Sequence, residues 1–176
     1  EDGDLTQMRA EIEANLRREV KKRLQGRITA QVMDVLLQAN PLQVPEALIQ
    51  KEVERLMQLA RQDMEQRGMK VKDLPMRPEW FSDQARRRVS IGLILSEIVK
   101  LNDLRAQPAQ VRELVEDAAQ SYDNPQEVVR WYYAKAERLS DFEGAAIKAN
   151  VVDWVLQRVK VSDKPVAFAE LMGQQA

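Results

Sequence analysis

Apolar residues recur along this chain at helical spacing from one end to the other, and every Pro falls between periodic segments. The first predicted helix covers residues 4–39. Asp4-Leu5-Thr6-Gln7 opens it with a capping-box pattern, and Asn40-Pro41 stops it. Met8, Ile12, Leu16, Val20, Leu24, Ile28, Val32 and Leu36 recur every four residues. An α-helix turns once per 3.6 residues, so this stripe drifts ~40° per step and winds around the helix, which must meet different partners along its length. At ~1.5 Å per residue the helix spans ~54 Å, more than the ~40 Å diameter of a compact domain of this size. Its first half, with Arg17-Arg18-Glu19 and Lys21-Lys22-Arg23 among the stripe residues, is expected to project. Its second half, with Val32-Met33 and Val35-Leu36-Leu37, is expected to dock.

A second helix is predicted over 44–68, with Pro45 at the first helical position and Gly68 as its C-terminal cap. After a loop, Pro78 opens a third that reaches about 102. Arg87-Arg88-Val89-Ser90-Ile91-Gly92-Leu93-Ile94-Leu95-Ser96-Glu97-Ile98-Val99 within it is apolar on nearly every face. Such a helix is either buried by other elements or lines a surface that binds apolar groups. Two long helices joined by a loop make an antiparallel hairpin. A fourth helix is expected over 108–122, then a turn with Asn124 as N-cap, Pro125 at the first helical position and Glu127 at the third. The fifth runs to about 139, and Ser140-Asp141-Phe142-Glu143 offers a capping box for a sixth reaching about 159. The tail, with Val161, Val166, Phe168, Leu171 and Met172 around Pro165, should be mostly extended with a short helical turn near 168–172. The fold class is all-α.

The chain has 176 residues, enough for one domain with a core. Its start at Glu1-Asp2-Gly3, without Met, points to an internal cut from a longer protein. Lys+Arg 27 against Asp+Glu 28 leaves a net charge of -1, which argues against a nucleic-acid binder driven by phosphate neutralisation. With no Cys and no His there is no thiol nucleophile, no imidazole base and no Cys/His metal site. No apolar run is long enough to span a bilayer, and no signal peptide opens the chain. Gly 6 is too sparse for a phosphate-cradling loop. The acidic pairs Glu11/Glu13, Glu52/Glu54 and Glu116/Asp117 sit among Arg and Lys at spacings that favour solvated ion pairs, and Arg86-Arg87-Arg88 is expected to be a solvated face. No catalytic residue, metal ligand or cofactor is implied.

Two features remain. Met57, Met64, Met69 and Met76 fall in the second helix and its loop, where unbranched polarizable side chains adapt to many shapes, although Met57 serves a core equally well. Tyr122 precedes a turn that Trp131, Tyr132 and Tyr133 follow. Successive helical residues lie ~100° apart, so three consecutive aromatics cannot share one face and at least one must leave the seam. An exposed aromatic there makes a contact surface.

The run Ala85-Arg86-Arg87-Arg88-Val89-Ser90-Ile91-Gly92-Leu93-Ile94-Leu95-Ser96-Glu97, the linker Ala39-Asn40-Pro41-Leu42-Gln43-Val44-Pro45, the segment Tyr122-Asp123-Asn124-Pro125-Gln126-Glu127-Val128-Val129 and the ending Phe168-Ala169-Glu170-Leu171-Met172-Gly173-Gln174-Gln175-Ala176 resemble the C-terminal domain of bacterial trigger factor, a ribosome-associated chaperone family. The resemblance covers essentially the whole chain. It implies an elongated multi-helix domain with two helical arms forming a cradle: a body of about residues 1–45 and 157–176, one arm of about 46–104 and a second of about 105–156. It also implies ATP-independent binding of unfolded or nascent polypeptides in the cytoplasm, with the ribosome met only through an N-terminal domain absent here. The prolyl isomerase domain of the family is absent too, so no enzyme activity is expected. Family positions that contact clients match Ala118, Tyr122, Val128 and Trp131, with Ala118 smaller than the residue expected there. Met64, Met69 and Met76 are added from the residues themselves. Direct nucleic-acid and membrane contacts are not expected, and self-association stays open. Two other readings fit the same residues: a periplasmic outer-membrane-protein chaperone, and a non-catalytic scaffold for one folded partner.

Overall fold

A computed structural model describes residues 5–69 and 76–173. Its helices are α1 (Leu5–Ala39), α2 (Glu46–Gln66), α3 (Glu79–Asn102), α4 (Pro108–Ala119), α5 (Pro125–Tyr133), α6 (Ser140–Leu156) and α7 (Phe168–Met172), with a 3-10 turn at Ala136–Leu139 between α5 and α6. The described residues contain no strand, as the periodicity predicts. The chain divides into two compact units. One joins the segment up to Asp34 with the segment from Val152 onward; the other is Val35–Val151.

In the first unit the four-residue stripe of α1 is exposed at Met8, Ile12, Leu16, Leu24 and Ile28 and becomes buried at Val32. The exposed helix is held by pairs one turn apart, Gln7 to Glu11 at 3.0 Å, Arg17 to Glu13 at 2.6 Å and Arg23 to Glu19 at 2.7 Å, each worth a few tenths of a kcal/mol. Arg27 pairs with Glu170 at 3.1 Å, and Arg23 reaches the Leu171 carbonyl at 3.4 Å, so α7 is tied to α1 by its charged and backbone groups. The capping box expected at Asp4 lies outside the described residues.

In the second unit Leu36 is buried but Val35 is half exposed, so only part of the apolar group predicted to dock does so. Ile49, Val53 and Leu56, spaced to share one face of α2, close on Ala85 of α3, with Val44, Met57 and Phe81 around them. Ala85 is fully buried, and its single methyl permits the close approach of the two helices. The apolar third helix is only partly covered: its buried residues Ala85 and Ile94 fall on opposite faces at ~100° per residue, and Leu93, lying between those faces, is exposed. Its arginines face solvent and the acids of α2. Arg88 Nε lies 2.9 Å from Glu52, which also accepts two 2.9 Å bonds from Arg55 of its own helix, and Arg86 lies 3.9 Å from Glu46. The Arg55 hydrogen bond, opposed in part by burial and joined by the positive charges of Arg55 and Arg88, holds the Glu52 carboxyl below its ordinary range.

Val111, Val115 and Ala146 form a second core between α4 and α6, lined by Ala106, Leu114, Val129, Tyr132, Leu139 and Phe142. Gln110 at the start of α4 accepts the Gln107 backbone N–H at 3.0 Å through its side chain, closing the first turn, and pairs with Asn150 of α6.

Several helix ends differ from the sequence reading. Pro45 and Pro78 occupy the flanking position before α2 and α3, whereas Pro108 and Pro125 take the first helical position. Gly68 has φ 75°, and the bonds Gly68 N–H to Glu65 and Met69 N–H to Met64 close α2 in a Schellman motif. The fourth helix ends at Ala119, not near 122, and Tyr122 closes a turn onto the Ala119 carbonyl at 3.1 Å. Asn124 precedes α5 without a side-chain cap bond. The fifth helix ends at Tyr133, not near 139, because Lys135 is extended, with φ -142° and ψ 124°. Ser140 is itself helical, at φ -54° and ψ -40°, so it continues the 3-10 turn into α6 and caps nothing. That helix ends at Leu156, short of 159.

Candidate functional site

The four positions carried over by resemblance occupy the end of α4, the turn after it and α5. Ala118 and Val128 are half-buried, and Tyr122 and Trp131 are 57% and 54% exposed. The large apolar area is thus supplied by the two aromatics, while Ala118 adds one methyl. The three methionines belong to the other helix pair. Met64 is half-buried in the last turns of α2, Met69 is exposed just past its left-handed glycine, and Met76 is half-buried before α3. The residues between Met69 and Met76 lie outside those described.

The aromatic triplet separates as the ~100° spacing requires. Tyr132 turns inward, meeting Phe142 edge to face at 4.9 Å and 87° within the α4–α6 core. Trp131 and Tyr133 turn outward. Trp131 meets the Tyr132 ring at 5.0 Å and 82°, and the Arg138 guanidinium lies 3.7 Å from its ring centroid. Arg138 also donates through Nη1 to the Trp131 carbonyl, one of the orphan acceptors at the end of α5. Sequence reasoning missed Arg138. In the continuous helix expected to 139, residues seven apart are two turns, ~10.5 Å, away along the axis; the break at Lys135 brings Arg138 back over the ring.

Sequence reasoning also missed a concavity of about 340 Å³ lined by Ala106, Pro108, Val111, Tyr133, Leu139, Glu143 and Ile147. Its walls come from elements far apart in the chain, so no local pattern announces it. A second, open concavity of about 510 Å³ lies along α1 over Leu16, Val20, Leu24 and Ile28. Among the described residues no group of three or more acids is placed to hold a metal ion, and no helix is long and apolar enough to cross a membrane.

A family model described as bacterial trigger factor protein C-terminus matches residues 4–157. The chain belongs to that family. It is similar to trigger factor of Dechloromonas aromatica, 63% identical over 174 residues that make up 99% of this chain and 40% of that protein. It is 52% identical to trigger factor of Aromatoleum aromaticum over 175 residues, again 99% of this chain and 40% of that protein. Trigger factor of Paraburkholderia xenovorans is 52% identical over 177 residues, covering all of this chain and 40% of that protein. The chain therefore spans about 40% of the length of these relatives. The family expected from the separated sequence blocks is the family found, and it is a chaperone family.

Proposed function

We propose that this chain is the polypeptide-holding part of a chaperone, binding unfolded or nascent segments through separate apolar patches without nucleotide and without chemistry on the client. The observation that carries the reading is the pair Tyr122 and Trp131, two large aromatics more than half exposed around one turn in a member of the trigger factor family. An aromatic side chain buries ~150–250 Å² when covered. Covering the exposed half of one ring, ~100 Å², contributes ~2.5 kcal/mol at ~25 cal/mol per Å². Two or three such contacts, less the cost of ordering the client, leave weak and rapidly exchanging binding. That suits a holder that must release.

Val128 and Ala118 extend this patch, and the concavity beside Tyr133 is large enough to take one apolar client side chain. Met64 and Met69 at the end of α2 and Met76 before α3 offer further client contacts that adapt to shape through flexible thioethers. Ribosome contact and prolyl isomerisation belong to parts of the family protein outside this chain, and the setting is the cytoplasm.

The test is light scattering of a denatured, aggregation-prone protein diluted into buffer with this chain and no ATP. The expected result is suppression at equimolar to modest excess, and reduced suppression with the Tyr122→Ser/Trp131→Ser variant at unchanged helicity. Aggregation that proceeds unchanged beside the folded wild-type chain overturns the reading.

A further inference from the structure

Trp131 is a more ordered side chain than its exposure suggests. An aromatic half in water at the end of a nine-residue helix has one covalent anchor and two free torsions. Here two other contacts act on the ring, and a third fixes one of the groups that make them. The Arg138 guanidinium stacks 3.7 Å from the ring centroid, the Tyr132 ring meets it edge to face at 5.0 Å, and Arg138 is itself fixed by its bond to the Trp131 carbonyl. Tyr132 is in turn wedged against Phe142 in the α4–α6 core. The chain of contacts runs from the core to the exposed indole.

We infer that Arg138 is a positioning residue for client binding: it holds the Trp131 indole in one orientation, so that the ring is presented already ordered to an apolar client side chain. The inference rests on the reading of Trp131 as a client contact. Its physical basis is that ordering a rotamer-rich side chain on binding costs affinity, and a protein that has ordered it beforehand does not incur that cost at the encounter. More than half of the Trp131 side chain stays exposed beside these contacts and is open to the client. The guanidinium suits this task because its plane can lie over the ring while an N–H reaches the carbonyl; an ammonium on a flexible stem offers a point charge without that double engagement.

The experiment uses the whole chain labelled with 5-fluorotryptophan, whose three indole signals are assigned through Trp→Phe variants, and titrates it with a permanently unfolded, aggregation-prone protein. Arg138→Met and Arg138→Lys are compared with wild type. The expected result is a displaced, narrowed Trp131 fluorine signal in both variants, with the Trp80 and Trp154 signals unmoved. Client affinity should fall about 3- to 10-fold in both variants, the factor expected when one side chain must be ordered during binding. Because Lys keeps the charge, equal weakening in both variants separates positioning from attraction of acidic clients. Wild-type affinity in Arg138→Met, or in Arg138→Lys while its Trp131 signal is mobile, overturns the inference. Trp131→Ala is the control on the underlying reading: if it binds clients as wild type does, the client patch and this inference fall together. If it binds weakly while Arg138→Met does not, only the inference falls.

Discussion

The side-chain amides of Gln110 on α4 and Asn150 on α6 bond to each other in both directions, Gln110 Nε2 donating to Asn150 Oδ1 at 2.6 Å and Asn150 Nδ2 donating to Gln110 Oε1 at 3.2 Å. Asn150 Nδ2 also donates to the Arg105 carbonyl at 2.9 Å, and Gln110 Oε1 also accepts the Gln107 backbone N–H at 3.0 Å. Both amides are half-buried, and both N–H groups of Asn150 are used. One polar pair thus fixes α6 against the start of α4 and the strand of chain leading into it.

Asn150→Leu should destabilise the chain by about 1–3 kcal/mol, the cost of leaving partly buried amide and carbonyl groups without partners. At about 2–4 °C per kcal/mol for a chain of this length, a thermal melt by circular dichroism will read the change. Gln110→Leu/Asn150→Leu together should cost less than the sum of the single variants, because the second change removes a group the first has already orphaned. Strict additivity would show that the two amides act independently.

Glu52 makes a pH-dependent contribution whose sign follows from its lowered pKa. The Arg55 hydrogen bond and the charges of Arg55 and Arg88 favour the carboxylate in the folded chain, so the stabilisation is fully present above the ordinary Glu value of 4.5 and is lost as pH falls through the lower folded value. Both arginines are about half exposed, which limits the effect to about 0.5–1 kcal/mol. Urea denaturation should show wild type more stable than Glu52→Gln at pH 7, with the gap closing below pH 4.5. A gap that widens on acidification contradicts this account.

Ala85 sits fully buried where α3 meets Ile49, Val53 and Leu56. Ala85→Leu forces three additional carbons into that contact and should cost about 1–3 kcal/mol by overpacking. Leu93, exposed on the same helix, gives the contrast: Leu93→Gln should stay within about 0.5 kcal/mol. Chemical denaturation of the two variants side by side tests whether α3 is packed at Ala85 and open at Leu93.

Gly68 carries φ 75°, and a Cβ added there would meet no atom within 4 Å. Gly68→Ala therefore probes backbone strain alone, and an L-residue in the left-handed region costs about 1–2 kcal/mol. The same change at Gly92, inside α3 with equally open surroundings, should stabilise by about 0.5–1 kcal/mol through helix propensity. Melting curves of the pair should move in opposite directions.

Local chemistry in the sequence determined the helical class, the stop at Asn40-Pro41, the helix starts marked by Pro78, Pro108 and Pro125, the left-handed glycine at the end of α2 and, through its separated blocks, the family. Periodicity reports which residues share a face of a helix, because 3.6 residues per turn is a property of the backbone alone. It does not report what meets that face. Val35 and Leu36 belong to one group expected to dock, yet Val35 is exposed and Leu36 buried. The all-round apolar α3 is buried at Ala85 against α2 and at Ile94 on its opposite face, while Leu93 and Leu101 stay exposed. The same limit governs the site. That at least one of Trp131, Tyr132 and Tyr133 must leave the seam was legible, but which of them does, the break at Lys135, the return of Arg138 over the indole and the concavity beside Tyr133 arise from contacts between segments that no single helical period relates. Those were decided by tertiary packing, because burial and stacking depend on the distances between segments, and local pattern fixes distances only within one.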